Sequence, residues 1–243
     1  MQKDLKLSCG IEVSISTIWR SLGRCGVVRK KLDRKALERS EDARAQYRAI
    51  VSTLRPEMMI FVDESSLDVR VTYRGSGYAL RGVRASQRAY FIRGERYSVL
   101  PALSLNGIEA LDIVKGSFTA ETFKNFIAKL LDKMNPYPLD NSIIVMDNCR
   151  IHKSTEITDM ITARGMHYLF LPPYSPDFNP IEMAFSKIKS SIRRDDELAR
   201  FEMTANRDDP EREANIEALF HRHVYSVTED NAWGWYAGCG YID

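Results

Sequence analysis

Two patterns of apolar residues alternate along this chain. In one, apolar positions run without interruption. Glu57–Ser66 contains Met58 to Val62 and ends in Asp63-Glu64, and Ser142–Met146 ends in Asp147-Asn148. Uninterrupted runs of this length suit strands covered on both faces. Tyr97–Leu105 and Ile108–Val114 flank Asn106-Gly107, a dipeptide that tolerates the left-handed backbone of a tight turn, so the pair reads as a hairpin. His167–Leu171 reads as a further strand.

In the other pattern, apolar residues recur every three or four positions, as on one face of a helix. Thr119–Met134 carries Phe123, Phe126, Ile127, Leu130 and Leu131, and Thr119-x-x-Thr122 marks its start. Ser154–Arg164, Ile181–Arg194 and Ile216–Val227 obey the same rule. Near the N-terminus, Ser16 reads as an N-cap of a helix running to about Arg24, with Gly26 as its stop. Ile15, Ile18 and Leu22 share one side of it, and Thr17, Arg20 and Arg24 the other. That division suits the recognition helix of a helix-turn-helix, and equally an ordinary amphipathic surface helix. The Ala-rich stretch 35–56 reads as a linker helix broken by Pro56. The aromatic tail from Asp230 to Tyr241 needs a surface to bury against.

The resulting order is strand, hairpin, helix, strand, helix, strand, helix. It predicts an α/β fold: an RNase H-like mixed sheet flanked by helices, preceded by a truncated helix-turn-helix remnant. The expected domains are residues 1–34 for the remnant, 35–56 for the linker helix, and 57–243 for a catalytic domain with a helical, aromatic tail. The fourth strand is expected beside the first.

Charge changes the picture through its distribution. The chain of 243 residues carries a net charge of only +2. Residues 1–55 hold a surplus of +7 and residues 70–97 one of +6, while residues 56–69 hold four acids and no base. Basic blocks on both sides of an acidic strand end suit a polyanionic partner, although solvated surface charge gives the same count. Arg74, Arg81, Arg84 and Arg88, interleaved with Tyr73, Tyr78 and Tyr90, are candidate DNA-backbone contacts, with Thr17, Arg20 and Arg24 upstream. Four scattered cysteines without a Cys-x-x-Cys pair argue against a zinc or disulfide scaffold. No apolar run is long enough for a membrane span.

The candidate chemistry lies in three acids. Asp63 and Asp147 each end an apolar strand. Glu182 opens a helix after the proline-stiffened loop Pro172–Pro180, and 34 residues separate it from Asp147. Magnesium is a hard ion that prefers carboxylate and phosphate oxygens. Asp63, Asp147 and Glu182 therefore read as the ligands of one metal site acting on DNA phosphates, with Glu64 a further candidate. His221 and His223 read as surface groups, and Cys149 as a small buried filler.

Phe61-Val-Asp-Glu, Val145-Met-Asp-Asn with His152, and Leu171-Pro-Pro-Tyr-Ser-Pro-Asp-Phe-Asn-Pro-Ile-Glu resemble the three catalytic blocks of the mariner-type DDE transposase superfamily. Ser14-x-Ser-Thr-Ile-x-Arg with Gly26 is more weakly similar to the family's second helix-turn-helix. The resemblance implies an RNase H-like domain with Mg²⁺, or Mn²⁺, held as two ions by Asp63, Asp147 and Glu182, and with Asn148, His152 and Asn179 supporting. It implies a transposase-type endonuclease and strand-transferase, acting by hydrolysis and transesterification on transposon terminal repeats and target double-stranded DNA. A homodimer is expected, and a nuclear location if the host is eukaryotic, otherwise cytoplasm or nucleoid. The alternative is a catalytically idle or domesticated DNA-binding remnant.

Overall fold

The computed structural model describes residues 2–28, 38–68, 78–86, 95–149, 151–195 and 210–242. The chain divides into two compact units, Met1–Leu37 and Glu38–Asp243.

The first unit contains α1 (Gln2–Cys9) and α2 (Ile15–Arg24). The N-cap of α2 is Ser14, whose hydroxyl accepts from Thr17 N–H, and not Ser16. Ser14 wins because its extended backbone lets the side chain turn back onto a free amide of the first turn, that of the third helical residue. Thr17, Arg20 and Arg24 are all exposed on this helix.

The second unit is built on one sheet. Its elements are α3 (Glu41–Val51), β1 (Met59–Val62), β2 (Ser65–Leu67), β3 (Tyr97–Ser104), β4 (Gly107–Lys115), α4 (Ala120–Leu131), β5 (Ile143–Met146), α5 (Thr155–Ala163), β6 (His167–Phe170), α6 (Ile181–Asp195), α7 (Pro210–Val224) and α8 (Glu229–Gly238). The strand order is β2-β3-β1-β5-β6, with β4 on the other side of β3. β3 and β4 form the expected hairpin, but the two turn residues are Leu105-Asn106 and not Asn106-Gly107. Gly107, with φ of 108°, already opens β4 opposite Ser104. β1 runs antiparallel to β3 but parallel to β5, and β5 parallel to β6. This is the mixed, RNase H-like sheet that the element order predicted.

The apolar runs are continuous because helices cover both faces. Alternate residues enter alternate cores. Met59, Phe61, Val99, Leu103 and Val145 pack with α3, α6, α7 and α8, while Ile60, Val62, Leu100, Ile144 and Met146 pack with α4 and α5. The Thr119–Thr122 capping box starts α4 as the sequence predicts. The tail is buried in part: Tyr236 and Tyr241 are enclosed, with Tyr236 Oη donating toward Met59 O (2.9 Å) and Leu103 O (3.1 Å). Trp233 remains exposed.

Candidate active site

β1 and β5 lie side by side in register, and Val62 pairs with Met146 as the last rung. Asp63 and Asp147 are the next residue on each strand, so parallel pairing delivers both acids to the same sheet edge. By the two-residue alternation they share with Phe61 and Val145 one face, the face that α6 covers. Glu182 is the second residue of α6. Its side chain starts from that face, at the positive end of the helix.

The strand carrying Asp63 is interrupted there. β1 and β2 both pair with β3 in one unbroken register, Val62 with Ala102 and Ser65 with Val99. Asp63 consequently stands opposite Pro101, which has no N–H to donate. The ladder is open at Asp63-Glu64, and the freed side chain takes local partners. Asp63 Oδ1 accepts from Glu64 N–H at 2.8 Å and Oδ2 accepts from Asn179 Nδ2 at 2.9 Å.

The loop after β5 is held through Asp147 and Asn148. Asp147 Oδ1 accepts from Cys149 N–H at 2.8 Å, and Asn148 Nδ2 donates to Leu171 O at the head of the proline loop. His152 is fully buried and stacked on Phe123, with ring centroids 4.3 Å apart. Its Nδ1 makes a 2.6 Å ion-pair contact with Asp147 Oδ1, too bent for an aligned hydrogen bond, and its Nε2 lies 3.3 Å from Glu64 Oε1.

Asp63, Asp147 and Glu182 line one cleft of about 500 Å³ with Asn148, Cys149, Asn179 and the loop Leu171–Pro176. The electrostatics are uneven. Burial, and next the charge of Asp147 with a smaller push from Glu182, drives Asp63 up to about 7. Burial also works against the Asp147 charge, but His152 and Cys149 N–H outweigh it and hold that carboxyl below its ordinary range. Burial would discharge His152, yet Asp147 and Glu64 together push it up to about 10. The cluster thus keeps its spare proton on Asp63, because Asp147 already has a cationic partner.

Among the described residues, no three His, Cys, Asp or Glu side chains stand close enough to enclose a single ion. An all-oxygen set around a crowded, partly protonated carboxylate nevertheless fits a hard cation of the Mg²⁺ type, which takes one or two carboxylates and completes its shell with water and phosphate. Asn179 Oδ1, buried and without a hydrogen-bond partner, is a further oxygen beside Asp63.

The remaining sequence-based candidates fall out differently. Arg81 and Arg84 are exposed in the second unit, and Arg74 and Arg88 lie outside the described residues. Cys149 is exposed at the cleft and not buried as expected, because its backbone turns inward to cap Asp147. His223 is buried instead of solvated, held between Ser191 Oγ (3.0 Å) and Asp195 Oδ2 (2.9 Å), whereas His221 stacks on Tyr225. The contact of Glu64 with His152 was missed: an acid next to a candidate ligand reads as a ligand, and its partner lies 88 residues away.

An RNase H-like sheet with carboxylates at two adjacent parallel strand ends and at a helix start defines an enzyme domain. The chain belongs to the DDE superfamily endonuclease family, whose model matches residues 58–204. No curated protein matches it in sequence. Among solved structures, it is similar to the Mos1 mariner paired end complex with Mn at 16% identity and a TM-score of 0.69, covering 98% of this chain and 71% of that one. The Mos1 paired end complex with Mg matches at 15% identity and 0.59, covering 100% and 75%. The Mos1 catalytic domain with Raltegravir and Mg matches at 14% and 0.54, covering 86% and 91%. The likeness to mariner-type DDE transposases is therefore borne out, in the endonuclease family by sequence and in the mariner form by fold.

Proposed function

We propose that this endonuclease cuts and joins DNA strands at transposon ends, with Asp63, Asp147 and Glu182 as catalytic residues and ligands of two divalent ions, Mg²⁺ or Mn²⁺. The observation that carries the reading is the common cleft of these three carboxylates in a chain of the DDE endonuclease family. The similar structures include paired-end and strand-transfer complexes of Mos1, which supports the same reaction class here.

Each residue then has a role. Asp63, with Asp147 and Glu182 both near enough to raise it, would be the central metal-holding carboxylate. Asn179 and Glu64 N–H fix the rotation of its two oxygens. His152 keeps Asp147 ionised and aimed, and Asn148 ties that strand end to the loop that leads to Glu182. Divalent ions held there would polarise a phosphate oxygen and make an attacking water or 3′-hydroxyl more acidic. The proline loop and the ordered carboxylates give the positional accuracy that phosphoryl transfer needs.

Thr17, Arg20 and Arg24 on the exposed side of α2, with Arg74, Arg81, Arg84 and Arg88, would hold the DNA backbone. Residues 1–34 would act as the DNA-binding segment and 57–243 as the catalytic one, with α3 of the 35–56 segment packed into the catalytic unit. Joining two ends calls for two copies of the chain, and work on chromosomal DNA for a nuclear or nucleoid location. The test is a cleavage assay with Mg²⁺ or Mn²⁺ on duplex DNA, RNA and hybrid, comparing wild type with Asp147→Asn. Duplex DNA cleavage lost in the variant, with DNA binding kept, is expected. Cleavage surviving in Asp147→Asn, or confined to RNA, contradicts the assignment.

A further inference from the structure

The turn that precedes Glu182 is gripped from behind by α3. Arg44 of α3 is 2% exposed, yet it carries a charge. Its Nη1 donates to Asp177 Oδ1 at 3.0 Å and its Nη2 to Asp177 Oδ2 at 2.7 Å, a two-pronged pair. The same guanidinium lies 4.1 Å above the ring of Phe178. Arg39 adds a second contact to Asp177 at 3.3 Å. On the other side, Tyr241 Oη donates to Phe178 O at 2.6 Å, and Tyr47 of α3 shares a hydrogen bond with Tyr241 at 2.8 Å. Tyr47 also stacks on Phe178.

This turn leads directly into the active site. Asp177 and Phe178 belong to the 3₁₀ turn Pro176–Phe178. Asn179 comes next and donates to Asp63 Oδ2, while its carbonyl accepts from Glu182 N–H at 3.2 Å. A shift of Asp177 and Phe178 would therefore move Asn179 off Asp63 and change where α6 begins. Packing alone does not require the arrangement: a buried arginine loses hydration, and an apolar residue of similar size would fill the space without that cost.

We infer that Arg44 is a positioning residue for the active site, fixing through Asp177 and Phe178 the turn from which Asn179 reaches Asp63 and Glu182 enters α6. This rests on the proposed function for its catalytic meaning. Lysine cannot replace the two-pronged grip, since it offers one compact charge on a flexible stem.

The experiment measures Mn²⁺ binding by calorimetry on the full chain, without DNA. Wild type is compared with Arg44→Lys, Asp177→Asn, Tyr241→Phe and Ile161→Val, the last a core change on the opposite sheet face. Arg44→Lys and Asp177→Asn should each weaken Mn²⁺ binding about tenfold, as lost supporting contacts around metal ligands do. The double variant should be no weaker than either single one, because both break one link. Ile161→Val should bind as wild type does. Folded Arg44→Lys with wild-type Mn²⁺ affinity, or a loss no greater than Ile161→Val causes, overturns the inference. If Arg44→Lys does not fold, Tyr241→Phe releases the same turn from its other side, and unchanged affinity there overturns it equally. A wild-type chain that binds no Mn²⁺ overturns both this and the proposed function, a result visible before any variant is made.

Discussion

The imidazole of His152 is sealed from solvent 2.6 Å from Asp147 Oδ1. Its charge is held up to about 10 by Asp147 and Glu64 against the opposing effect of burial. A basic group raised on folding contributes stability that is fully present below its unfolded value, about 6.5, and lost as pH rises through the folded one. Asp147, held low, contributes above the ordinary carboxylate range and loses that contribution in acid. The metal-free protein should therefore lose urea resistance between pH 7 and 10, and His152→Gln should lose less over the same window. At pH 7 that variant should be destabilised by about 2 kcal/mol through the lost ion pair and ring stacking. Parallel pH profiles for the two proteins would refute this role of His152.

Asp63 sets a second pH dependence. Its proton, retained up to about 7, must leave before a cation can take its oxygens. Mn²⁺ affinity should fall about tenfold for each pH unit below 7 and level off above it. Calorimetry in buffers of different ionisation enthalpy should detect about one proton released at pH 6 and almost none at pH 8. Equal proton release at both values would contradict the assignment of the proton to Asp63.

Tyr236 joins the tail to the sheet. Its buried hydroxyl reaches the carbonyls of Met59 and Leu103, on two different strands. Tyr236→Phe leaves those carbonyls without their partner and should cost about 1–2 kcal/mol. Thermal unfolding should register that as a lower Tm with Mn²⁺ affinity unchanged. A weakened Mn²⁺ affinity would contradict a purely structural role for Tyr236.

Residues with local signatures were legible in the sequence. The runs ending at Asp63 and Asp147 and the Thr119–Thr122 box depend on neighbours in the chain, and each formed as expected. The hairpin formed too, but its turn is Leu105-Asn106, one residue earlier than Asn106-Gly107. The break at Asp63-Glu64 was not legible, because it depends on Pro101 across the sheet. Nor was the Arg44–Asp177 pair, whose members stand 133 residues apart. His223 read as solvated because its neighbours in sequence are charged, whereas its partners Ser191 and Asp195 belong to another helix. Local chemistry predicted the elements and the acids at their ends. The contacts that aim those acids are long-range and charge-assisted, and no periodicity encodes them.

The measurement that bears most directly on the proposed site is anomalous diffraction from crystals of the chain soaked with Mn²⁺ at a concentration that supports DNA cleavage. Mn²⁺ peaks are expected against the carboxylates of Asp63, Asp147 and Glu182, with Asp63 touching each ion, and they should vanish in Asp63→Asn. Peaks confined to other residues, or a cleft without Mn²⁺ in a protein that still cleaves, would contradict the assignment of these three acids as the metal ligands.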